Sequence, residues 1–345
     1  MQPIRINDKV SIGPGCPVFI IAEIGYNFNN IEEGLASVDA AADCGSDAVK
    51  FQTFRAANIV TRGIEFPPEA GGGNQFAEFK KYELSAEAHA RLFARARERG
   101  MVPFSTPSHD SDLPLLEGLG MEIYKIGSDD LTNIPFQVET ARLGKPVIIS
   151  TGMSYLSEVA CTVEAIRAAD NEKIIVLQCL SNYPIKDLSE VNLRAMNIIA
   201  SALGVLVGFS DHTTTISAPA AAVALGACVY EKHFTLDKKI PAPDAAFSAD
   251  PLEMGTIVHT IRETEAMLGD GLKCPARSEV DMRRDTRKGL VSLRPIKKGE
   301  QLSLANTSIK RPGHGIEPML LQLVLGLKAG QDIPGDISIT WDMLR

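Results

Sequence analysis

The sequence lacks the marks of several common protein classes. Its six cysteines, Cys16, Cys44, Cys161, Cys179, Cys228 and Cys274, are scattered and form no CxxC pair. That pattern excludes a zinc knuckle and is too thin for a disulfide-stapled secreted domain, so reduced thiols in a cytoplasmic protein are expected. Basic residues are outnumbered 35 to 43, for a net charge of -8 and a pI near 5.4. Nucleic-acid backbones are gripped by clustered Lys and Arg, so this balance argues against a nucleic-acid partner while leaving room for a locally held phosphate. The opening MQPIRINDKV has no apolar signal core, and no run of about 18 apolar residues is present to span a bilayer, so no membrane partner is expected. No GxGxxG follows the first apolar run, which weakens a dinucleotide-binding reading.

What is present is ordinary globular composition, 45% hydrophobic and 23% charged over 345 residues, enough for one large domain and a small one. Eight short apolar runs read as strands: 18–23, 47–52, 102–106, 122–126, 146–151, 174–179, 205–210 and 228–233. Segments of helical composition separate them, including 32–44, 86–99, 112–119 and 136–143, and these four end at Gly45, Gly100, Gly120 and Gly144. Runs apolar on both faces belong inside a parallel sheet. Eight such repeats in roughly 250 residues predict a closed (β/α)8 TIM barrel, since an open doubly wound sheet has fewer strands. The stretch 56–81, with Pro67, Pro68 and Gly71 to Gly73, reads as a long loop, either a lid or partly disordered. Residues 1–275 are assigned to the barrel, charge-rich 276–288 to a linker, and 289–345 to a small β-rich domain with turns at Lys298–Gly299 and Pro334–Gly335.

In a barrel the C-terminal strand ends converge, so the polar residues closing each run form one candidate site. They include Glu23, Lys50, Gln52, Thr106, Lys125, Ser128, Ser150, Ser181, Asn182, Ser210, His212 and His233. His212 and His233 close consecutive strands in GFSDH and YEKHF, which places two imidazoles side by side as ligands for a divalent metal. Asp211 and Glu231 are candidates to orient those rings. Lys50 and Lys125 follow apolar stretches, where an ammonium needs an anion, and with the hydroxyls they form a cradle for phosphate and carboxylate oxygens. Pairing of each lysine with a barrel carboxylate, or a Schiff-base role for one, are the competing readings. Glu23 is a candidate general acid or base if burial raises its pKa.

The segments AEIGYN, GSDAVKFQTF, FSTP, YKIGSDD, ISTGMS, QCLSNYP, GFSDHT, EKHFTLD and APDAAFSADP follow one another in an order and spacing that resemble the sialic acid synthases. VSLRPIKKGEQL and KRPGHGI resemble the antifreeze-like (SAF) domain that closes those proteins. The resemblance implies condensation of phosphoenolpyruvate with an open-chain N-acyl amino sugar, giving a nine-carbon 2-keto sugar acid and phosphate by C–O cleavage. It implies that His212 and His233 hold a divalent ion, Mn2+ or Mg2+. It further implies that Lys50, Thr106, Lys125, Ser128, Ser150, Ser181 or Asn182, and Ser210 hold phosphoenolpyruvate. Glu23 would handle water or a proton, Gln52 and Asp244 would hold the sugar, and Phe247 would pack beside it. A domain-swapped homodimer is implied too, with Arg311 reaching the neighbouring subunit's sugar site. The chain departs from the family pattern at Asn27 to Asn30, where Phe28 replaces a usual histidine, and at Ala242 to Ala245, where Ala245 does the same. Both loops are assigned to the sugar side. The acceptor is thus N-acetylmannosamine or a 2,4-diacetamido-6-deoxyhexose. A pyruvate-using metal-dependent aldolase and a non-catalytic sugar-binding protein are the alternatives.

Overall fold

A computed structural model describes residues 1–66, 72–183, 185–242 and 244–345. The chain divides into two compact units, Met1–Gly269 and Asp270–Arg345. In the first, eight strands form one parallel sheet: β1 (Phe19–Gly25), β2 (Ala48–Thr53), β3 (Val102–Pro107), β4 (Tyr124–Ile126), β5 (Val147–Ser150), β6 (Ile174–Cys179), β7 (Leu206–Asp211) and β8 (Val229–His233). Their order is β3-β2-β1-β8-β7-β6-β5-β4. Contact between β3 and β4 completes the ring. This is the expected TIM barrel, and each strand falls within two residues of its predicted run.

Helices cover the outside of the ring, which is why the strands are apolar on both faces: every residue of β1 is buried. Local chemistry starts these helices where the sequence places them. Asn30 caps Ile31–Asp43 by accepting from Glu33 N, Ser85 caps Ala86–Glu98 by accepting from Ala88 N, and Asp250 with Glu253 forms a capping box on Pro251–Leu268. The four predicted helix-ending glycines all take positive φ. An antiparallel ribbon, Ile4–Arg5 with Ile12 and Ser11, buries Ile12 in the barrel core.

Three expectations change. The stretch 56–81 is not loop throughout: it carries the helices Ala56–Ile59 and Gln75–Lys81, the second capped by Asn74, while the Pro67, Pro68 and Gly71 part of the expected lid lies outside the described residues. The segment assigned to a linker contains the helix Val280–Thr286. Phe28, assigned to the sugar side, is instead a buried core residue packed against Gly34, where an added Cβ would come 3.3 Å from its ring.

The second unit is a small β structure in which β9 (Gly289–Ser292) pairs antiparallel with β10 (Thr307–Lys310). Further single bridges join Val291 to Ser338 and Ile296 to Ile333. It has its own core of Leu290, Ile296, Leu302, Ile316, Val324, Ala329, Ile333 and Ile339. Among the described residues no helix is long and apolar enough to cross a membrane.

Gly208 in β7 faces a tight point of the barrel wall. A Cβ there would run into the Val229 carbonyl and come 2.7 Å from Leu177 Cδ2. Gly208→Ala is therefore expected to lower the unfolding free energy by about 1–3 kcal/mol or more. Urea titration measures this, and an unshifted midpoint would contradict the packing described.

Candidate active site

Successive residues of a strand point to opposite faces, and this alternation sorts the polar strand ends into two sets. One set turns outward under the helices. Phe51 stacks on Phe93, Thr53 Oγ1 bonds both His89 and Ser105 Oγ, and Tyr230 OH donates to Asp211. The other set meets inside the ring. Strand register places Glu23 beside Lys50 and His233, and Ser210 beside Glu231 and Cys179.

Inside, four buried charges alternate in sign. Lys50 Nζ lies 2.7 Å from Glu23 Oε2 and 3.8 Å from Glu231 Oε2, and donates to Thr106 Oγ1 at 3.2 Å. Lys125 Nζ donates to Glu231 Oε1 at 3.2 Å, and Ser210 Oγ donates to the same oxygen at 2.9 Å. Gln52 Nε2 donates to Glu23 Oε1 at 3.1 Å. Both lysines are thus paired with barrel carboxylates. The pairing does not exclude a substrate anion, because Glu231 Oε2 and Ser150 Oγ are buried without hydrogen-bond partners. Such orphans mark a polar surface built to meet something else.

The two carboxylates are driven apart in acidity. Burial, aided by the like charge of Glu231, raises the pKa of Glu23 despite Lys50 beside it. Burial works the same way on Glu231, but there Lys125, Lys50 and the Ser210 hydroxyl outweigh it and the pKa falls. Surroundings that push two carboxylates apart in this way suit them to different roles.

Beyond Ser210 lies the histidine pair. The rings of His212 and His233 are 5.3 Å apart, centroid to centroid. His212 Nδ1 is 2.9 Å from the Leu180 carbonyl, which can only accept, so Nδ1 carries a proton and, in the neutral ring, Nε2 carries the lone pair. Burial, followed by the positive field of His212 and the lysines, holds His233 well below the ordinary histidine range, and its buried Nδ1 has no hydrogen-bond partner. For His212 burial also favours the neutral ring, but Cys179, the Leu180 carbonyl and Glu231 together raise its pKa. Two imidazoles with lone pairs free fit a divalent ion, although among the described residues no cluster of three or more ligating side chains is present. Asp211 and Glu231 do not orient these rings as expected. Asp211 binds Thr213 N and Tyr230 OH, and Glu231 binds Lys125 and Ser210, so the Leu180 carbonyl does that work for His212.

Around the pair stand aromatic rings. Tyr183 lies 4.3 Å from His212 and 5.1 Å from Phe247, and Phe247 lies 5.5 Å from His233. Asp244 Oδ2 is 3.7 Å from His233 Nδ1. Burial and the charge of Glu23 raise the Asp244 pKa to about 6. Ser128 and Ser181 gather at Gly152, where a Cβ would strike Ser181 Oγ and come 2.9 Å from Ser128 Oγ, and Gly152 N donates to Ser128 Oγ at 3.0 Å. Asn182 is exposed, and its backbone N–H donates to the Leu180 carbonyl. Arg311 is exposed in the second unit.

Residues 37–273 match the NeuB family and residues 287–345 the SAF domain. The chain belongs to the NeuB family. It is 36% identical to the N,N'-diacetyllegionaminic acid synthase of Legionella pneumophila, over 99% of this chain and 98% of that protein. It is 35% identical to a pseudaminic acid synthase of Campylobacter jejuni, over 92% and 93%. The crystal structure of the N-acetylneuraminic acid synthetase of Leptospira borgpetersenii in complex with citrate superposes with a TM-score of 0.74 at 32% identity, covering 81% of this chain and 95% of that one. The expected family resemblance thus holds, and the NeuB-family chain is an enzyme of the transferase class.

Sequence reasoning missed the central place of Glu231, Tyr183 and Cys179. Glu231 had a signal, being two residues before His233 and so on the same strand face. Cys179, whose Sγ is 3.7 Å from Ser128 Oγ, had the same kind of signal at the end of β6. Tyr183 sits in a loop and had none.

Removing Lys125 leaves Glu231 buried with one distant cation. Lys125→Met is expected to cost about 3–5 kcal/mol of stability at neutral pH. Because the Glu231 pKa is depressed on folding, that stabilisation is present above the ordinary carboxylate pKa and fades as the pH falls below it. Urea unfolding of wild type and variant across pH should show the gap closing in acid, and a constant gap would refute the ion-pair account.

Proposed function

We propose that this NeuB-family enzyme condenses phosphoenolpyruvate with the open-chain aldehyde of an N-acyl amino sugar, forming a nine-carbon 2-keto sugar acid and releasing phosphate. The observation that carries the reading is the pairing, inside one barrel mouth, of a two-lysine cradle with an adjacent histidine pair. The cradle suits an anionic phosphate and carboxylate, with Lys50, Lys125, Thr106, Ser128, Ser150, Ser181 and Ser210 as donors and Asn182 as an alternative to Ser181. A divalent ion held by His212 and His233, Mn2+ or Mg2+, would supply Lewis-acid polarisation of the aldehyde.

The residues of this chain account for the remaining needs. The cradle holds phosphoenolpyruvate so that C3 faces the aldehyde carbon and a C–C bond forms, leaving C2 electron-poor. Glu23, its pKa raised by burial, takes a proton from the water that adds to C2 and delivers one as the C–O bond to phosphate breaks. Glu231 stays ionised and keeps both ammonium groups aligned throughout. Gln52 and Asp244 are assigned to the sugar hydroxyls and Phe247 to its apolar side. The Tyr183 and Phe247 rings, with relatives named as legionaminic and pseudaminic acid synthases, favour a 2,4-diacetamido-6-deoxyhexose over N-acetylmannosamine as acceptor. The barrel rim exposes Met153, Tyr155 and Ile216, which favours a second copy of the chain covering it and contributing its Arg311 as a swapped homodimer would.

Phosphate release on mixing the enzyme, phosphoenolpyruvate, Mn2+ and a panel of N-acyl sugars tests the reading, with the diacetamido sugar expected to react fastest. No phosphate with any acceptor, or turnover of pyruvate in its place, would overturn it in favour of an aldolase. His233→Ala is expected to cut metal-stimulated turnover on the order of 100-fold or more, with circular dichroism unchanged. Arg311→Ala should raise KM for the sugar more than KM for phosphoenolpyruvate, and equal effects would contradict its assignment.

A further inference from the structure

We propose that Lys232, which lies outside the substrate cradle, is a positioning residue that clamps the backbone on both sides of His212 and so sets the geometry of the histidine pair. The inference rests on the reading of His212 and His233 as the metal-holding pair. Lys232 is one residue out of phase with Glu231 and His233, so its side chain leaves β8 on the face opposite the site. There it is 4% exposed. Its Nζ donates to the Asp211 carbonyl at 3.2 Å and to the Thr213 carbonyl, and lies 3.6 Å from Asp211 Oδ2. One cation thus grips the carbonyls immediately before and after a single residue, and that residue is His212.

The rest of the turn is fixed in the same place. Thr213 N donates to Asp211 Oδ1 at 2.7 Å, and Tyr230 OH donates to Asp211 Oδ2. Ile185 N approaches the His212 carbonyl at 3.5 Å, and the His212 ring is tied to Leu180. Burying an ammonium is costly unless every donor finds an acceptor, and here the acceptors are two backbone carbonyls and a carboxylate. An apolar side chain could fill the same volume but could not tie two carbonyls together. The donor at position 232 therefore serves geometry: it holds the strand-to-loop exit that aims His212 Nε2, in the way outer partners fix metal-ligating rings.

The test is Lys232→Met, which keeps length and apolar stem. Titration of the folded, metal-free protein with Mn2+, read by the electron paramagnetic resonance signal of the free ion, is expected to give a Kd raised about tenfold. Hydrogen exchange at residues 211–213 should quicken, while KM for phosphoenolpyruvate stays near wild type because Lys50 and Lys125 stand on other strands. Asp211→Asn, which weakens the ion pair but keeps the turn, should shift Mn2+ affinity in the same direction by less, and it decides the matter if Lys232→Met does not fold. Wild-type Mn2+ affinity and exchange in a folded Lys232→Met protein would overturn the clamp, as would parallel losses in Mn2+ affinity and phosphoenolpyruvate KM that track lost thermal stability. If the wild-type protein itself binds no Mn2+, the metal reading fails, and exchange at 211–213 still tells whether Lys232 holds the turn.

Discussion

Four formal charges sit within the closed ring of a barrel, where each alone would be untenable. Glu23, Lys50, Glu231 and Lys125 are all at most 5% exposed, and they are tolerated because they alternate in sign and lie within a few ångströms of one another. Much else follows from that alternation. The strands carrying them must keep register, since moving one by a single residue would swing its charge to the helix-covered face and leave its partner uncompensated. The inward hydroxyls of Thr106 and Ser210 add a hydrogen bond each to a lysine and a glutamate. Under the proposed function, stability and substrate binding draw on the same contacts, because the groups that neutralise one another are those assigned to phosphoenolpyruvate.

The quartet also explains how two carboxylates in one cavity come to differ. Glu231 touches two cations and a hydroxyl, whereas Glu23 has one lysine and an amide and feels the field of Glu231. Equal chemistry in unequal surroundings yields opposite shifts. The inequality comes from what reaches each carboxylate: β7 sets Ser210 beside Glu231 in register, and Lys125 on β4 and Lys50 on β2 both approach it.

The barrel was legible because its strands are buried on both faces and read as unbroken apolar runs closed by polar residues. Which of those closing residues belong to the site was legible only through the two-residue period. Applied strictly, it separates Glu231 from Lys232 and Ser210 from Asp211. It could not reveal contacts made by loops. The Leu180 carbonyl that orients His212 is backbone and leaves no trace in residue type, and Tyr183 reaches the histidines only because the chain turns after β6. Phe28 misled for a different reason. Its neighbours Asn27 and Asn30 are polar, but one bonds the Phe234 carbonyl and Ser248 while the other caps a helix, so the ring between them turns into the core.

Glu231 and His233 share one face of β8 two residues apart, a separation of about 6.6 Å along an extended strand. One belongs to the anion cradle and the other to the histidine pair. The distance between the two halves of the site is therefore written in main-chain geometry, as on a ruler, and not in the reach of flexible side chains. The strand can vary the chemistry at either mark without altering the interval between them. Changes in the loops at the barrel mouth leave that interval untouched.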